Sequence, residues 1–106
     1  MEYVNRIELQ GEIGAIRVQE VNGLYVANFS LATQFISKAV ENVVCETTWH
    51  HVVAWETAIV PDPNLLKKGD KVRVIGRLRT TKYTSADGQD KNYYEVVASM
   101  VSRIKE

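Results

Sequence analysis

The sequence predicts an all-β domain: a closed five-stranded barrel in Greek-key order, with one short helix between the third and fourth strands. Apolar and polar side chains alternate with a period of two along most of the chain. Turn dipeptides separate the alternating runs, and the one segment that breaks the alternation follows the third run. A chain of 106 residues has room for one such domain, 1–106, and not for two separate cores.

The first strand is read in "YVNRIELQGEIG". In "IRVQEVNGLYVANFSLAT" the pair Asn22-Gly23 sits between two alternating runs, and both residues tolerate the positive φ of a type I′ turn. A tight hairpin is therefore expected there. Residues 24–35 form a long strand with Tyr25, Ala27, Phe29 and Leu31 on one apolar face, and a polar loop over 37–42 follows. The third strand contains "ETTWHHVVAWE", residues 46–56. Its pleat puts Trp49, His51, Val53 and Trp55 on one face and His50, Val52 and Ala54 on the other. In "ETAIVPDPNLLKKGD", Pro61 and Pro63 prevent one continuous helix and leave at most two short helical turns. Gly69-Asp70 ends that connection.

The fourth strand, "KVRVIGRLRTTKYT", sets Lys71, Arg73, Ile75, Arg77, Arg79, Thr81 and Tyr83 against Val72, Val74, Gly76 and Leu78. Gly76 is a bulge candidate, and a bulge in this strand would shift the alternation beyond it. Asp87-Gly88 turns the chain into "NYYEVVASMVSRI", the last strand. Five main strands with a helical connection between the third and fourth is the layout of an OB-fold.

Composition narrows the function classes. Hydrophobic residues at 45% and charged residues at 25% are ordinary for a folded domain. No run is apolar enough to span a bilayer, and "MEYVNRIELQ" has no basic region followed by an apolar block, so no membrane partner is expected and a cytoplasmic location is. Cys45 is the single cysteine, which excludes an internal disulfide and multi-cysteine zinc sites; it is expected to be a small buried hydrophobe. His50 and His51 are neighbours on a strand and point to opposite faces, so they do not chelate one metal by themselves. There is no glycine-rich phosphate loop, no Gly-x-Ser-x-Gly elbow and no paired-carboxylate motif. Neither an enzyme nor a cofactor is expected.

Net charge is zero, yet residues 67–91 hold eight Lys and Arg against three Asp, a local +5 balanced by −5 elsewhere. Such polarisation allows one basic surface on a neutral chain, or simply a solvated strand face. Trp49 and Trp55 stand about 20 Å apart along one strand face, at roughly 3.3 Å per residue. That spacing suits a track of several bases, while packing of one or both rings remains open at this point. Basic side chains interleaved with aromatics on barrel strands hold single-stranded nucleic acid, because cations follow the phosphates and rings stack on bases. The residues also admit an accessory primosome or RNA-binding module of the same fold, a protein-interaction scaffold built on the aromatics, and a metal hydrolase using His50, His51 and Cys45.

"VNRIELQGEIG", "VANFSLAT", "TTWHHVVAWE", "LLKKGDKVRVIGRLRTTKYT" and "DGQDKNYYEVVAS", in this order over nearly the whole chain, resemble the bacterial single-stranded DNA-binding proteins. The resemblance implies an OB-fold that assembles as a homotetramer, a dimer of dimers, and binds single-stranded DNA with little sequence preference in replication, recombination and repair. It also implies a cytoplasmic, nucleoid-associated protein.

Trp49 is similar to the family's tryptophan before a histidine, His50 to that histidine, and Trp55 to an aromatic usually present as phenylalanine. Tyr83 stands where the family has a tryptophan after its basic strand. The three aromatic positions stack on bases in the family. Arg79, Lys82 and Arg6 fall where the family has basic residues, and the pleat adds Arg73 and Arg77 as phosphate contacts. A further family tryptophan aligns with Ser37; Phe35, two residues earlier with the same parity, is the expected substitute. The chain stops at "VSRIKE" without the family's flexible extension and acidic, phenylalanine-ended tip, so recruitment of replication proteins by that route is not implied.

Overall fold

The computed structural model describes residues 1–38, 43–60 and 66–104. Long strands dominate: β1 (Ile7–Val21), β2 (Leu24–Lys38), β3 (Val43–Trp55), β5 (Lys71–Thr84) and β6 (Asp90–Arg103), with a two-residue β4 (Ile59–Val60). The strands run in the order β3-β2-β1-β5-β6-β4, and an additional β3–β6 pairing closes the five long ones into a barrel. β1 serves two neighbours, pairing with β5 through its first half and with β2 through its second. Register shifts between Ile13 and Ile16, where the strand bends from one neighbour to the other. This is the expected OB-fold.

Local chemistry places the turns as expected. Val21 pairs with Leu24 across Asn22-Gly23, which take φ values of 51° and 82°, as a type I′ turn requires. Among the described residues, the connection after β3 is helical only as a 3-10 turn, Glu56–Ala58. The proline-bounded stretch 61–65 lies outside the described residues, as does 39–42 of the expected polar loop. Ser37 and Lys38, expected in that loop, instead continue β2 and pair with Val44 and Val43.

The core follows the pleat. Ala27, Phe29 and Leu31 of β2, Val52 and Ala54 of β3, Val72 and Val74 of β5, and Val96, Ala98 and Val101 of β6 are buried together. Ile13 and Leu66 complete it. Each large side chain buried here contributes roughly 1.5–3 kcal/mol. Tyr25, although on the apolar face expected for β2, is partly exposed because it lies at the hairpin end, beyond the core.

Two pairs of strands outrun the barrel. β2 and β3 continue as an arm through residues 34–38 and 43–48, and β5 and β6 as another through 78–84 and 90–94. On an arm neither face meets a core, so period-two alternation no longer predicts burial. Leu78 is 41% exposed although it shares parity with Val72 and Val74. Cys45 is exposed rather than buried because its parity is the outward one of Trp49 and His51. The expected bulge is present opposite Gly76 but belongs to β6: Ile75 pairs with Met100 and Gly76 with Ala98, leaving Ser99 unpaired. The alternation of β5 therefore runs through Gly76 unshifted.

Candidate nucleic-acid interface

Because β5 keeps its parity, Arg73, Arg77, Arg79, Thr81 and Tyr83 stand on the outer face of the barrel, while Val72 and Val74 point inward. Closure adds β3 to the same surface. The parallel pairs Val52–Val96 and Val53–Val97 align β3 with β6, so His51 and Val53 flank the outer side chains Glu95 and Val97. Trp49, His51 and Trp55 are all exposed on that face, at 60% for Trp49 and 39% for Trp55. The tryptophans are thus available to solvent.

His50 lies on the opposite side of β3, half-buried, with Nε2 2.8 Å from the Thr33 hydroxyl. Burial pushes its pKa below the ordinary imidazole value. The adjacent histidines therefore do different jobs. Among the described residues no group of three His, Cys, Asp or Glu side chains is arranged to hold a metal.

At the centre of the outer face sits Glu95, the single buried charged residue among those described, 5% exposed. Arg79 Nε donates to its Oε1 at 2.8 Å, Arg79 Nη2 donates to the same oxygen, and the Thr81 hydroxyl donates at 2.9 Å. His51 Nδ1 lies 3.9 Å from Oε2, an ion pair when the ring is protonated. Burial pushes the Glu95 pKa up, but the hydrogen bonds from Arg79 and Thr81 and the charges of Arg79 and His51 outweigh it. The carboxyl ends below the usual carboxylate range.

The predicted cations therefore differ in their commitments. Arg79 is neutralised by Glu95, and Arg73 Nη2 lies 2.5 Å from Glu8 Oε1. Arg6 is 64% exposed and meets the same Glu8 only at 4.0 Å. Arg77 has no ion-pair partner among the described residues, and it shares a groove with Arg6 above the Ile75–Arg77 backbone. Lys82 pairs with Asn92 and Tyr83 with Lys91, so Lys82 faces the opposite side of the β5–β6 arm from Tyr83. Phe35 is exposed but pairs with Glu46, whereas Ala32 pairs with Trp49; the pleat puts Phe35 on the other side of the β2–β3 arm from Trp49. Trp49, Trp55, Tyr83, Arg77 and Arg6 are thus gathered on one face, and Phe35 and Lys82 are not.

One ring was not singled out from the sequence. Tyr93, on the outer face of β6, lies with its ring centroid 5.6 Å from Tyr83 and 6.4 Å from His51. The missing signal was the partner strand: Thr81 pairs with Tyr93, so β6 residues of that parity share the basic face of β5. Trp49 also has a seat that sequence pattern does not show. A Cβ at Gly14 would stand 2.4 Å from Trp49 Cζ3 and 2.8 Å from Cη2, so the indole covers the glycine. Across the strand, Ser30 Oγ accepts from the Ala15 amide at 2.9 Å and anchors the β1 bend beside it.

Three outcomes are expected. Gly14→Ala displaces the Trp49 ring and changes its emission, and the change disappears when Trp49 is already Phe. For pH, the unfolded chain protonates His50 at about 6.5, above its folded value. Stability therefore falls as pH drops through that range, and His50→Gln flattens this part of a denaturation-midpoint profile. The stability from Glu95 is present above the unfolded carboxylate pKa of about 4.3 and is lost as pH falls through its lower folded value. Glu95→Gln removes that acid limb.

The same face can be set beside known proteins. The model of the single-strand binding protein family matches residues 4–104. Among solved structures, a Plasmodium falciparum SSB in complex with ssDNA is similar at a TM-score of 0.78 and 28% identity, over 99% of this chain and 98% of that chain. A closed barrel of the expected topology, an exposed aromatic row and a family match spanning nearly every residue lead to one conclusion: the chain belongs to the single-strand binding protein family.

Proposed function

We propose that the protein binds single-stranded DNA on the outer face of β3, β5 and β6, with little sequence preference, in the service of DNA replication, recombination and repair. The observation that carries this reading is the exposed row Trp49, His51 and Trp55, closed against the Tyr83 face and flanked by Arg6 and Arg77. Flat rings receive bases of any identity, because every base has a π face. The uncommitted guanidinium of Arg77 and the exposed one of Arg6 lie where a phosphate can meet them. Arg73 and Arg79 contribute after sharing charge with Glu8 and Glu95, and Lys82 approaches from the reverse of the arm. The similar solved structure, which holds ssDNA, supports the assignment.

Titration with oligothymidine should quench tryptophan emission, and duplex DNA of equal length should not. Trp49→Ala should weaken binding by roughly 1–3 kcal/mol. With about five phosphate contacts, a fourfold rise in salt should weaken binding about a hundredfold, and Arg77→Gln should lower the slope by about 0.7. Absence of quenching at low salt would remove the assignment.

We further propose assembly as a homotetramer, a dimer of dimers. Asn5 is tied to β5 by two hydrogen bonds with the Leu78 backbone, 2.8 and 3.0 Å. The segment before it leaves Tyr3, 90% exposed, and Val4 in solvent near the exposed Leu78. This is an apolar surface suited to a second copy. Light scattering should give four times the 12.0 kDa chain mass; a concentration-independent single-chain mass would sink the proposal.

A further inference from the structure

We propose that His51 and Tyr93 form an additional nucleobase-binding step between the tryptophans of β3 and Tyr83 of β5. The proposal rests on the single-stranded DNA reading above, adds Tyr93 to it and gives His51 a paired role with that ring. Their rings are 16° from parallel with centroids 6.4 Å apart, and Tyr93 continues to Tyr83 at 5.6 Å. A base plane aligned with one of the first two rings is therefore nearly aligned with the other. The three rings carry the aromatic surface from β3 across β6 to β5 without a gap in strand order.

The chemistry beneath these rings selects a base rather than a phosphate. Glu95 is buried next to His51 and is paired with Arg79, so the centre of the face is close to neutral and offers no free cation to a phosphate. The cation nearest to it, Arg79, is already held by that carboxylate through Nε and Nη2. Phosphates are thereby directed outward, towards Arg6 and Arg77, and the bases inward. The same contacts hold the imidazole in place before any ligand arrives: Nε2 donates to Asn28 Oδ1 at 3.3 Å, and Nδ1 faces Glu95. A ring held at its Nε2 edge loses less freedom when a base stacks on it than a free one. The far side of His51 opens on a shallow groove of about 250 Å³, shared with Ala15, Asn28 and Ser30, which leaves room beside the ring.

The test compares oligothymidine affinity and its salt slope for the full chain and for Tyr93→Leu, Tyr93→Phe and Trp49→Ala. Tyr93→Leu should weaken binding roughly 5- to 150-fold, the span of one stacked base. Its salt slope should stay that of the unmodified protein, and Tyr93→Phe, which keeps the ring, should bind within about twofold of it. Unchanged affinity in Tyr93→Leu, with Trp49→Ala weakened, overturns this step and leaves the DNA reading standing. A slope reduced by about 0.7 would make Tyr93 a phosphate contact and also overturn it. If the unmodified protein binds no oligothymidine, the DNA reading fails first. Should Tyr93→Leu not fold, photocrosslinking of the unmodified protein to an oligonucleotide carrying 5-iododeoxyuridine decides. An adduct on Tyr93 or His51 supports the step, and adducts confined to other residues reject it.

Discussion

The parallel contact between β3 and β6 is the constraint on which the binding face depends. It consists of two residue pairs, Val52 with Val96 and Val53 with Val97. Inside the barrel it seats two of the most deeply buried valines. Outside, it brings the aromatic row of β3 beside the Tyr93 and Glu95 positions of β6, which are themselves paired with the basic strand β5. Without closure the tryptophans and the arginines would belong to opposite ends of an open sheet. A small apolar contact thus organises a much larger polar surface.

That surface is arranged by charge as well as by shape. A buried carboxylate within a basic face looks contradictory until its partners are counted. Arg79 and Thr81 satisfy one oxygen and His51 faces the other, so the centre is close to neutral. Desolvation that would otherwise drive the carboxyl to protonate is offset by these donors. The exposed cations lie towards the edge, with Arg6 and Arg77 in one groove. The zero net charge of the chain is consistent with this, since acids such as Glu8 and Glu95 temper individual arginines and do not cover the face.

Much of the fold was legible because a strand's pleat is a local property. The parity of Trp49, His51, Val53 and Trp55 against Val52 and Ala54 is set by backbone geometry and survives into the structure. So does the two-residue turn at Asn22-Gly23, where positive φ is needed at both positions. Where expectation and structure part, the end of the core is one cause. Leu78 obeys the pleat but sits on an arm that outruns the barrel, where an inward position has nothing to face, and Cys45 lies at the outward parity of Trp49. The bulge opposite Gly76 was expected in one strand and occurs in its partner, because a ladder can absorb an extra residue on either side.

The sequence by itself determined the strands, their inward and outward sides, the tight hairpin and the residue types of a stacking surface, since each follows from neighbours a few positions apart. The tertiary structure decided which of those residues meet. It joined His51 to Tyr93 and Tyr83, committed Arg79 to Glu95 and Arg73 to Glu8, seated Trp49 over Gly14, and turned Phe35 and Lys82 away. These are contacts between strands distant in the chain. Their register is set by closure of the barrel and by bulges that appear only once partner strands are side by side.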